Sequence, residues 1–297
     1  TTTGSDSSPP TPQDGEQDET RSWDAMLAAK KIASTDITYA VPRRNWVNGT
    51  TYDMYEHDVS SSNTSTSGAS NLFDSTFYFV TSAFSVYKIL DNNGGTAYDG
   101  AEPTSTSNSP FELGGYILKY MYNISTTDIG KYVTTDFIPV ATDTTVSAAA
   151  VDGAIESLRV TSGSSYTNGT YYAAVYGDGT SQGTASGAIV RITVSGNTIS
   201  SFGLTAGTDT TIHASGANYT YGYINLGVGY TFSDNGLTSA SAIGGSGGTI
   251  EVIISPEGGH GKNAITELGG HYIMTATTIS QAENDDFSTA NDFRQVG

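Results

Sequence analysis

The chain has 297 residues, with 12 lysines and arginines against 30 aspartates and glutamates, and a formal net charge of −18. This balance argues against binding to nucleic acid, whose phosphates need a basic surface, and against binding to anionic membrane surfaces. The chain has no cysteine, which excludes disulfides, thiolate metal ligands and a cysteine nucleophile.

The composition predicts a mostly β fold. Turn-forming residues and tyrosine are abundant, with 35 glycines and 19 tyrosines, whereas strong helix formers are few. No apolar run approaches the roughly 20 residues that a membrane-spanning helix needs. The length allows one large domain or two ordinary ones.

The first 50 residues contain the clearest helix pattern. Residues 1–20 are acidic and proline-rich and are predicted to form a disordered or extended arm. A helix is predicted over residues 23–32, with Ser22 as its N-cap and lysines in its last turn. Trp23 lies on the apolar stripe of this helix, so we expect it in the core. Pro42 then ends regular structure.

Strands and turns alternate after this point. Residues 47–76 read as a polar loop with one short strand near 52–55. Strands are predicted from apolar and aromatic runs, and residues 91–95 have turn chemistry. The predicted strands cover residues 77–80, 83–90, 116–124, 132–140 and 271–278, and a short helix is predicted at 263–268.

Residues 146–251 are predicted to be a β-rich, glycine-rich insertion. Residues 155–163 align weakly with residues 199–207, and each unit continues into a tyrosine-containing stretch, at 166–176 and at 219–230. The units close on alternating strands at 188–195 and 249–255, and Gly196-Asn197 has the sequence of a hairpin loop. Two copies favour one compact sandwich or barrel, because solenoids need three or more units.

No segment of the sequence has the complete pattern of a phosphate loop, a calcium loop or a zinc site. The glycine-rich run at 258–262 lacks the spacing of a phosphate loop, and Asn263 stands where a Ser or Thr would bind magnesium. The run at 91–102 lacks required residues of a calcium loop. None of the four histidines has the spacing of a zinc site. We therefore predict no catalytic residue, no cofactor site and no metal site, although paired acids for glycan cleavage remain open.

Six residues are candidates for an interface with another protein. Arg43, Arg44 and Trp46 follow Pro42 directly, and Arg and Trp are enriched at interface anchors. The alternative is that Trp46 fills the chain's own core and that the arginines pair with its own acids. We also expect the glycine turn at 258–262 to present His260 and Lys262 to a neighbouring subunit. The sixth candidate is Arg294, in the motif DFRQV near the end of the chain.

Several segments, in this order, resemble a baseplate wedge subunit of contractile-tailed, T-even-type phages. They are a helix followed by Val-Pro-Arg-Arg-Asn-Trp, the strands FSVYKIL (84–90) and GYILKYMYNI (115–124), the run FIPV (137–140), residues 258–270 and DFRQV (292–296). The resemblance covers roughly residues 20–145 and 252–297, and no single motif in it is highly specific. Residues 146–251 do not take part.

The resemblance implies a layered β-sandwich core with helix-bearing loops, a homodimer, and a structural role rather than an enzymatic one. The domains would be the arm at 1–20, a wedge core at 21–145 and 252–297, and the insertion at 146–251. The partners would be other wedge proteins and tail-fibre attachment proteins, in the virion tail and, during assembly, in the host cytoplasm. Since the chain does not begin with methionine, we expect further residues beyond both ends.

An alternative of another class is a glycan-binding, adhesin-like module. In this interpretation the tyrosines of residues 166–176 and 219–230 stack on sugars, whereas tyrosine in strands more often packs on the sheet surface. A third class, a glycan depolymerase, would need a pair of acids with perturbed pKa values in a cleft.

Overall fold

The computed structural model describes residues 15–24, 31–182, 184, 186–227, 230–233, 236–239 and 242–277. The fold is mostly β, as the composition predicts, with several antiparallel sheets in a sandwich-like arrangement. The described residues contain four α-helices, none long and apolar enough to cross a membrane: α1 (Glu16–Asp24), α2 (Thr126–Tyr132), α3 (Thr144–Ala149) and α4 (Ala264–Leu268).

The strands are short and mostly separated by glycine turns. In chain order they are β1 (Ile37–Pro42), β2 (Tyr78–Val80), β3 (Ser85–Asp91), β4 (Phe111–Leu113), β5 (Tyr116–Asn123), β6 (Phe137–Pro139), β7 (Ile155–Thr161), β8 (Ser164–Tyr166), β9 (Gly169–Gly177), β10 (Ile189–Ser195), β11 (Thr198–Ile199), β12 (Thr211–Ala214), β13 (Gly222–Ile224), β14 (Tyr230–Ser233), β15 (Gly236–Ser239), β16 (Gly244–Ser246), β17 (Thr249–Ile254) and β18 (Tyr272–Thr275).

The chain divides into two compact units. The smaller consists of Thr1–Thr38 and Thr275–Gly297, and the larger of Tyr39–Met274. The described part of the smaller unit contains α1 and a 3-10 turn at Ser34–Asp36.

The predicted position of the first helix is wrong where it is described. The helix begins at Glu16, inside the predicted arm, so Ser22 lies within it rather than capping it, and residues 31–33 are not helical. Trp23, expected in the core, has 64% of its surface exposed. Residues 1–14 of the predicted arm and residues 25–30 of the predicted helix lie outside the described residues.

The larger unit is built on a four-stranded sheet of order β2-β3-β5-β4. Its two central strands follow the strongest apolar runs of the sequence and are buried along nearly their whole length, which confirms the strands predicted at 83–90 and 116–124. Neighbouring residues of a strand point to opposite faces. Ile89 and Leu118 therefore belong to one hydrophobic cluster, and Leu90 and Ile117 to a second.

Aromatic rings fill much of the first cluster. The Tyr52 and Phe79 ring centroids are 5.3 Å apart, and Tyr98 meets Tyr116 edge-to-face at 5.3 Å. Such pairs contribute about 0.5–1.5 kcal/mol beyond the burial of their area. The hydroxyl of Tyr116 donates to the carbonyl oxygen of Thr96 at 2.7 Å, so its polar end is satisfied inside the fold.

The second cluster is formed mainly by the glycine-rich part of the chain. A seven-stranded sheet has the order β11-β10-β9-β14-β15, with β12 also on β10 and β13 also on β9. Two-stranded ribbons, β17-β7 and β16-β8, contribute further to this cluster. Gly196 (φ 60°) and Asn197 (φ 64°) form the two-residue turn between β10 and β11, which confirms the predicted hairpin.

The weak sequence repeat does not produce two equivalent units. Residues 155–163 contain the seven-residue strand β7, which pairs with β17. The matching segment, 199–207, contains only the last residue of β11, a two-residue strand that pairs with β10.

Two other strand predictions are wrong. Residues 132–140 do not form one strand, because α2 extends to Tyr132 and only Phe137–Pro139 is strand. The Ser125 hydroxyl accepts the N–H of Asp128 at 3.1 Å and donates to the Asp128 carboxylate at 2.7 Å, which caps α2. Residues 52–55 are buried but form no strand.

The glycine-rich segment near the end of the larger unit folds as predicted. Gly258 (φ 81°), Gly259 (φ 94°) and Gly261 (φ 92°) take left-handed conformations in a tight turn. Asn263 then caps α4 by accepting the N–H of Ile265 at 3.1 Å. The small sheet β18-β1-β6 contains the strand predicted at 271–278, as far as residue 275.

Candidate functional site

The corner after Pro42 is held by contacts within the chain. Arg43 donates from Nε to Oδ1 of Asn45 and from a terminal nitrogen to the carbonyl oxygen of Thr134, both at 2.8 Å. Its backbone N–H donates to the carbonyl oxygen of Asp136 at 2.7 Å. These bonds tie the corner to the loop before β6.

Arg44 and Trp46 are partly buried against the first cluster. Arg44 donates to the carbonyl oxygen of Phe73 at 2.8 Å and lies 4.5 Å from the centre of the Tyr78 ring. Burial lowers the pKa of Arg44, against the opposing effect of Tyr78 and nearby carboxylates. Trp46 meets Tyr98 edge-on at 6.0 Å. The structure thus favours Trp46 as part of the chain's own core, with the arginines bound to carbonyl oxygens rather than to acids.

The expectation that His260 faces a neighbouring subunit is wrong. Its exposed fraction is 1%, its ring meets Tyr55 edge-on at 4.9 Å, and neither ring nitrogen has a hydrogen-bond partner in the described structure. Burial lowers the pKa of His260 well below its ordinary value, and the nearby ammonium groups of Lys88 and Lys119 lower it further. His260 is therefore neutral inside the protein.

A buried ionic cluster adjoins this histidine. The Lys88 ammonium lies 2.9 Å from the Glu267 carboxylate and 3.9 Å from the centre of the Tyr55 ring. Glu267 also accepts the N–H groups of Gly261, at 2.9 and 3.0 Å, and Asn263, at 3.1 Å. The cluster thus joins β3 to the glycine turn and to α4. Nothing in the sequence indicated it, because lysine and glutamate are ordinarily exposed.

The other two interface candidates have different outcomes. Lys262 is exposed, as an interface residue would be, and its carbonyl oxygen accepts the Ser147 hydroxyl at 2.9 Å. Arg294 lies outside the described residues.

The small sheet β18-β1-β6 exposes apolar side chains that the sequence analysis did not single out. Tyr272 is 51% exposed, Ile273 is 65% exposed and Tyr39 is 47% exposed. Among the strands that the structure describes, β18 is an edge strand. Because neighbouring residues of a strand point to opposite faces, Tyr272 and Ile273 leave apolar surface exposed on both faces of this sheet edge. An exposed apolar sheet edge is a site where another chain can pack.

A polar cleft of about 370 Å³ lies between β13, β17 and the loop after residue 56. Arg159 pairs with Glu56 and, at 3.2 Å, with Glu251, its cross-strand neighbour. His57 accepts the N–H of Ile254 at its Nδ1 (3.2 Å), which leaves the proton of the neutral ring on Nε2. The polar and aromatic lining comes from His57, Asp58, Asn63, Arg159, Tyr223 and Glu251.

The tyrosines of the two predicted sugar-stacking stretches divide into three groups. Tyr166, Tyr171 and Tyr219 are buried in the second cluster. Tyr172, Tyr176 and Tyr230 are half-buried. Tyr221 and Tyr223 are exposed, at 57% and 58%, and of these two Tyr223 lines the cleft.

The described residues contain no group of three or more His, Cys, Asp or Glu side chains placed to hold a metal ion. The glycine turn at 258–262 contains the buried His260. Searches for similar proteins found no matching family model, no matching curated protein and no matching solved structure. The fold class, mostly β with several antiparallel sheets, is therefore what defines the chain.

Proposed function

We propose that the chain is a structural subunit of a phage tail baseplate wedge. In this role it forms a homodimer, contacts other wedge proteins and tail-fibre attachment proteins, and transmits the rearrangement that triggers sheath contraction. It belongs to the virion tail and, during assembly, to the host cytoplasm. It acts through its shape and surfaces, without catalysis, a cofactor, nucleic acid or a membrane.

The observation that carries the proposal is the set of exposed apolar side chains at the β18 edge of the sheet β18-β1-β6. Its three strands all come from residues 20–145 and 252–297, the stretches that resemble wedge subunits. Tyr272 and Ile273 are on the edge strand and are more than half exposed. Burial of such side chains against a partner contributes about 1.5–3 kcal/mol each when complete. This surface supports a role in subunit association.

A second observation supports the resemblance. The matching stretches, far apart in the sequence, supply the first hydrophobic cluster. Tyr87, Tyr120, Ile138 and Leu268 come from four of these stretches and share that cluster. One common core is what a shared fold requires of segments that resemble one family, since they would have to fold together.

Measurement of the mass in solution tests the homodimer. Light scattering coupled to size exclusion should give twice the monomer mass for the full chain. Ile273→Asp should give a monomer with unchanged circular dichroism, because a charge in place of the most exposed apolar side chain of the edge strand opposes association through that edge.

Leu204→Asp is the matched control, because Leu204 is also exposed, at 42%, but lies in the glycine-rich part of the chain. It should leave the dimer intact. A monomeric parent chain, or a dimer that Ile273→Asp does not weaken, would contradict association through this sheet.

A further inference from the structure

The cleft beside β13 combines an exposed aromatic ring with polar side chains. Tyr223 of β13 is paired directly with Tyr176 of β9, and the two ring centroids are 5.9 Å apart at an interplanar angle of 33°. Tyr176 thereby supports the Tyr223 ring, and 58% of the Tyr223 surface stays exposed. A supported, exposed ring next to hydrogen-bonding groups matches the apolar and polar faces of a sugar ring.

The segment that carries this ring is held rigidly. The Asp178 carboxylate accepts the N–H of Thr220 at 2.9 Å, the hydroxyl of Thr220 at 2.6 Å and the N–H of Tyr221 at 3.3 Å. The buried Tyr219 hydroxyl donates to the carbonyl oxygen of Val175 at 3.0 Å. Because these bonds fix the backbone that leads into β13, binding would cost little conformational entropy.

Close packing fixes the same segment from the other side. A side-chain carbon added at Gly177 would lie 2.1 Å from the carbonyl oxygen of Tyr221. The backbone carrying the two exposed tyrosines therefore lies directly against β9, at a position where only glycine fits.

The charges of the cleft select against anions. Its single cation, Arg159, is already paired with Glu56 and Glu251, and Asp58 adds a further carboxylate. The chain as a whole carries −18. Phosphates, sulfates and uronic acids would be repelled, whereas the hydroxyl groups of a neutral sugar can donate to carboxylates and accept from the Asn63 amide and the His57 Nε2–H.

We propose that this cleft binds a neutral saccharide, with one sugar ring stacked on Tyr223 and its hydroxyl groups bonded to Asp58, Asn63 and Glu251. A cleft of about 370 Å³ accommodates one or two hexose units. A basic peptide is the competing ligand, because its cations can pair with the carboxylates and stack on the ring, and the titration with hexalysine tests it. The proposal does not depend on the role in a baseplate.

The test is a calorimetric titration of the full chain with maltotetraose, cellotetraose and chitotetraose. Oligogalacturonate is the anionic probe, and hexalysine is the basic peptide. We expect millimolar or tighter binding of at least one neutral probe and no binding of oligogalacturonate. Tyr223→Ala should weaken that binding at least tenfold, whereas Tyr223→Phe, which keeps the ring, should stay within about threefold.

Tyr221→Ala is the matched control, since Tyr221 is equally exposed on the same segment but does not line the cleft. It should change affinity less than twofold. The proposal is overturned if all three neutral probes fail to bind, if Tyr221→Ala and Tyr223→Ala weaken binding equally, or if hexalysine alone binds.

Discussion

Lys88 and Glu267 lie 179 positions apart in the chain, yet their side chains form an ion pair of 2.9 Å that is almost wholly inaccessible to solvent. The pair connects the central strand β3 to α4, and Glu267 also accepts N–H groups of the glycine turn. The last part of the larger unit is thus fastened to its centre by charge as well as by apolar contact. Removal of one partner leaves a buried charge without compensation, which costs more than the pair itself contributes.

We predict that Glu267→Gln lowers the free energy of unfolding by about 3 kcal/mol, because it leaves the Lys88 ammonium unpaired inside the protein. Denaturant unfolding followed by circular dichroism measures this. Glu257→Gln is the control, since Glu257 is exposed on the same turn, and its effect should stay within about 0.5 kcal/mol. Equal, small effects of both substitutions would show that the ion pair is dispensable.

Because His260 is buried in its neutral form, we predict that the free energy of unfolding falls in mildly acidic solution. Buried near Tyr55, Lys88 and Lys119, it has a folded-state pKa far below the unfolded value of about 6.5. Below that pH the unfolded chain takes up a proton that the folded chain does not, so stability falls as the pH falls. Relative to His260→Gln, the parent chain should lose about 1 kcal/mol between pH 7 and pH 5.5.

The comparison with His260→Gln is needed because Asp91 acts in the opposite direction. Burial raises the pKa of Asp91 to about 6. The folded chain therefore binds a proton between about pH 6 and the unfolded value near 3.9, and this uptake increases stability as the pH falls. Both proteins contain Asp91, so its contribution cancels in the difference. If the free energy of unfolding depends on pH in the same way in both proteins, His260 is not buried in its neutral form.

Asp53 is predicted to organise the polar loop that ends before β2. Although burial alone raises its pKa, its carboxylate accepts four hydrogen bonds, from the N–H and hydroxyl groups of Ser67 and Thr76, and these leave the pKa below the ordinary value. Asp53→Asn replaces an acceptor oxygen by a donor, and should cost about 2 kcal/mol of unfolding free energy. Asp74→Asn, on an exposed side chain of the same loop, is the control. If the two substitutions destabilise the protein equally, the network around Asp53 contributes no more than an ordinary surface carboxylate.

Alanine substitutions at two glycines distinguish the cost of a steric clash from the cost of backbone strain. Gly259 (φ 94°) and Gly196 (φ 60°) are both left-handed, but an added side-chain carbon at Gly259 would lie 2.4 Å from the carbonyl oxygen of Val151, whereas Gly196 has open space. Gly196→Ala should cost about 1 kcal/mol through strain alone, and Gly259→Ala more than 3 kcal/mol because the backbone must also move. Thermal unfolding of both variants decides this, and equal shifts would mean that the turn adapts without cost.

Local sequence signals predicted much of the fold. The apolar runs of β3 and β5, the Gly196-Asn197 hairpin and the short helix α4 are each encoded within a few neighbouring residues. The strand prediction at 132–140 is wrong because Ser125 and Asp128 form a helix cap, and the helix that they start extends to Tyr132. The first helix was misplaced because an apolar stripe outweighed the acidic run in which α1 begins.

The candidate sites were predictable to a smaller extent. The residue types of Arg43 and Trp46 make them interface candidates. Their contacts, however, are with the distant residues Thr134 and Tyr98, which no local pattern predicts. His260 and Lys262 are two positions apart, and one is buried while the other is exposed. The difference between Tyr221 and Tyr223 arises from strand pairing with β9 and packing beside β17, which no local pattern encodes.

We propose that the chain is a wedge component of a contractile tail. Cryo-electron microscopy of contractile tails, purified from the source that encodes the chain and fitted with this fold, tests this proposal. We expect pairs of copies in the baseplate periphery, with β18-β1-β6 at a subunit boundary. Intact baseplates that contain no density for this chain, in tails where mass spectrometry also finds none of its peptides, would contradict it.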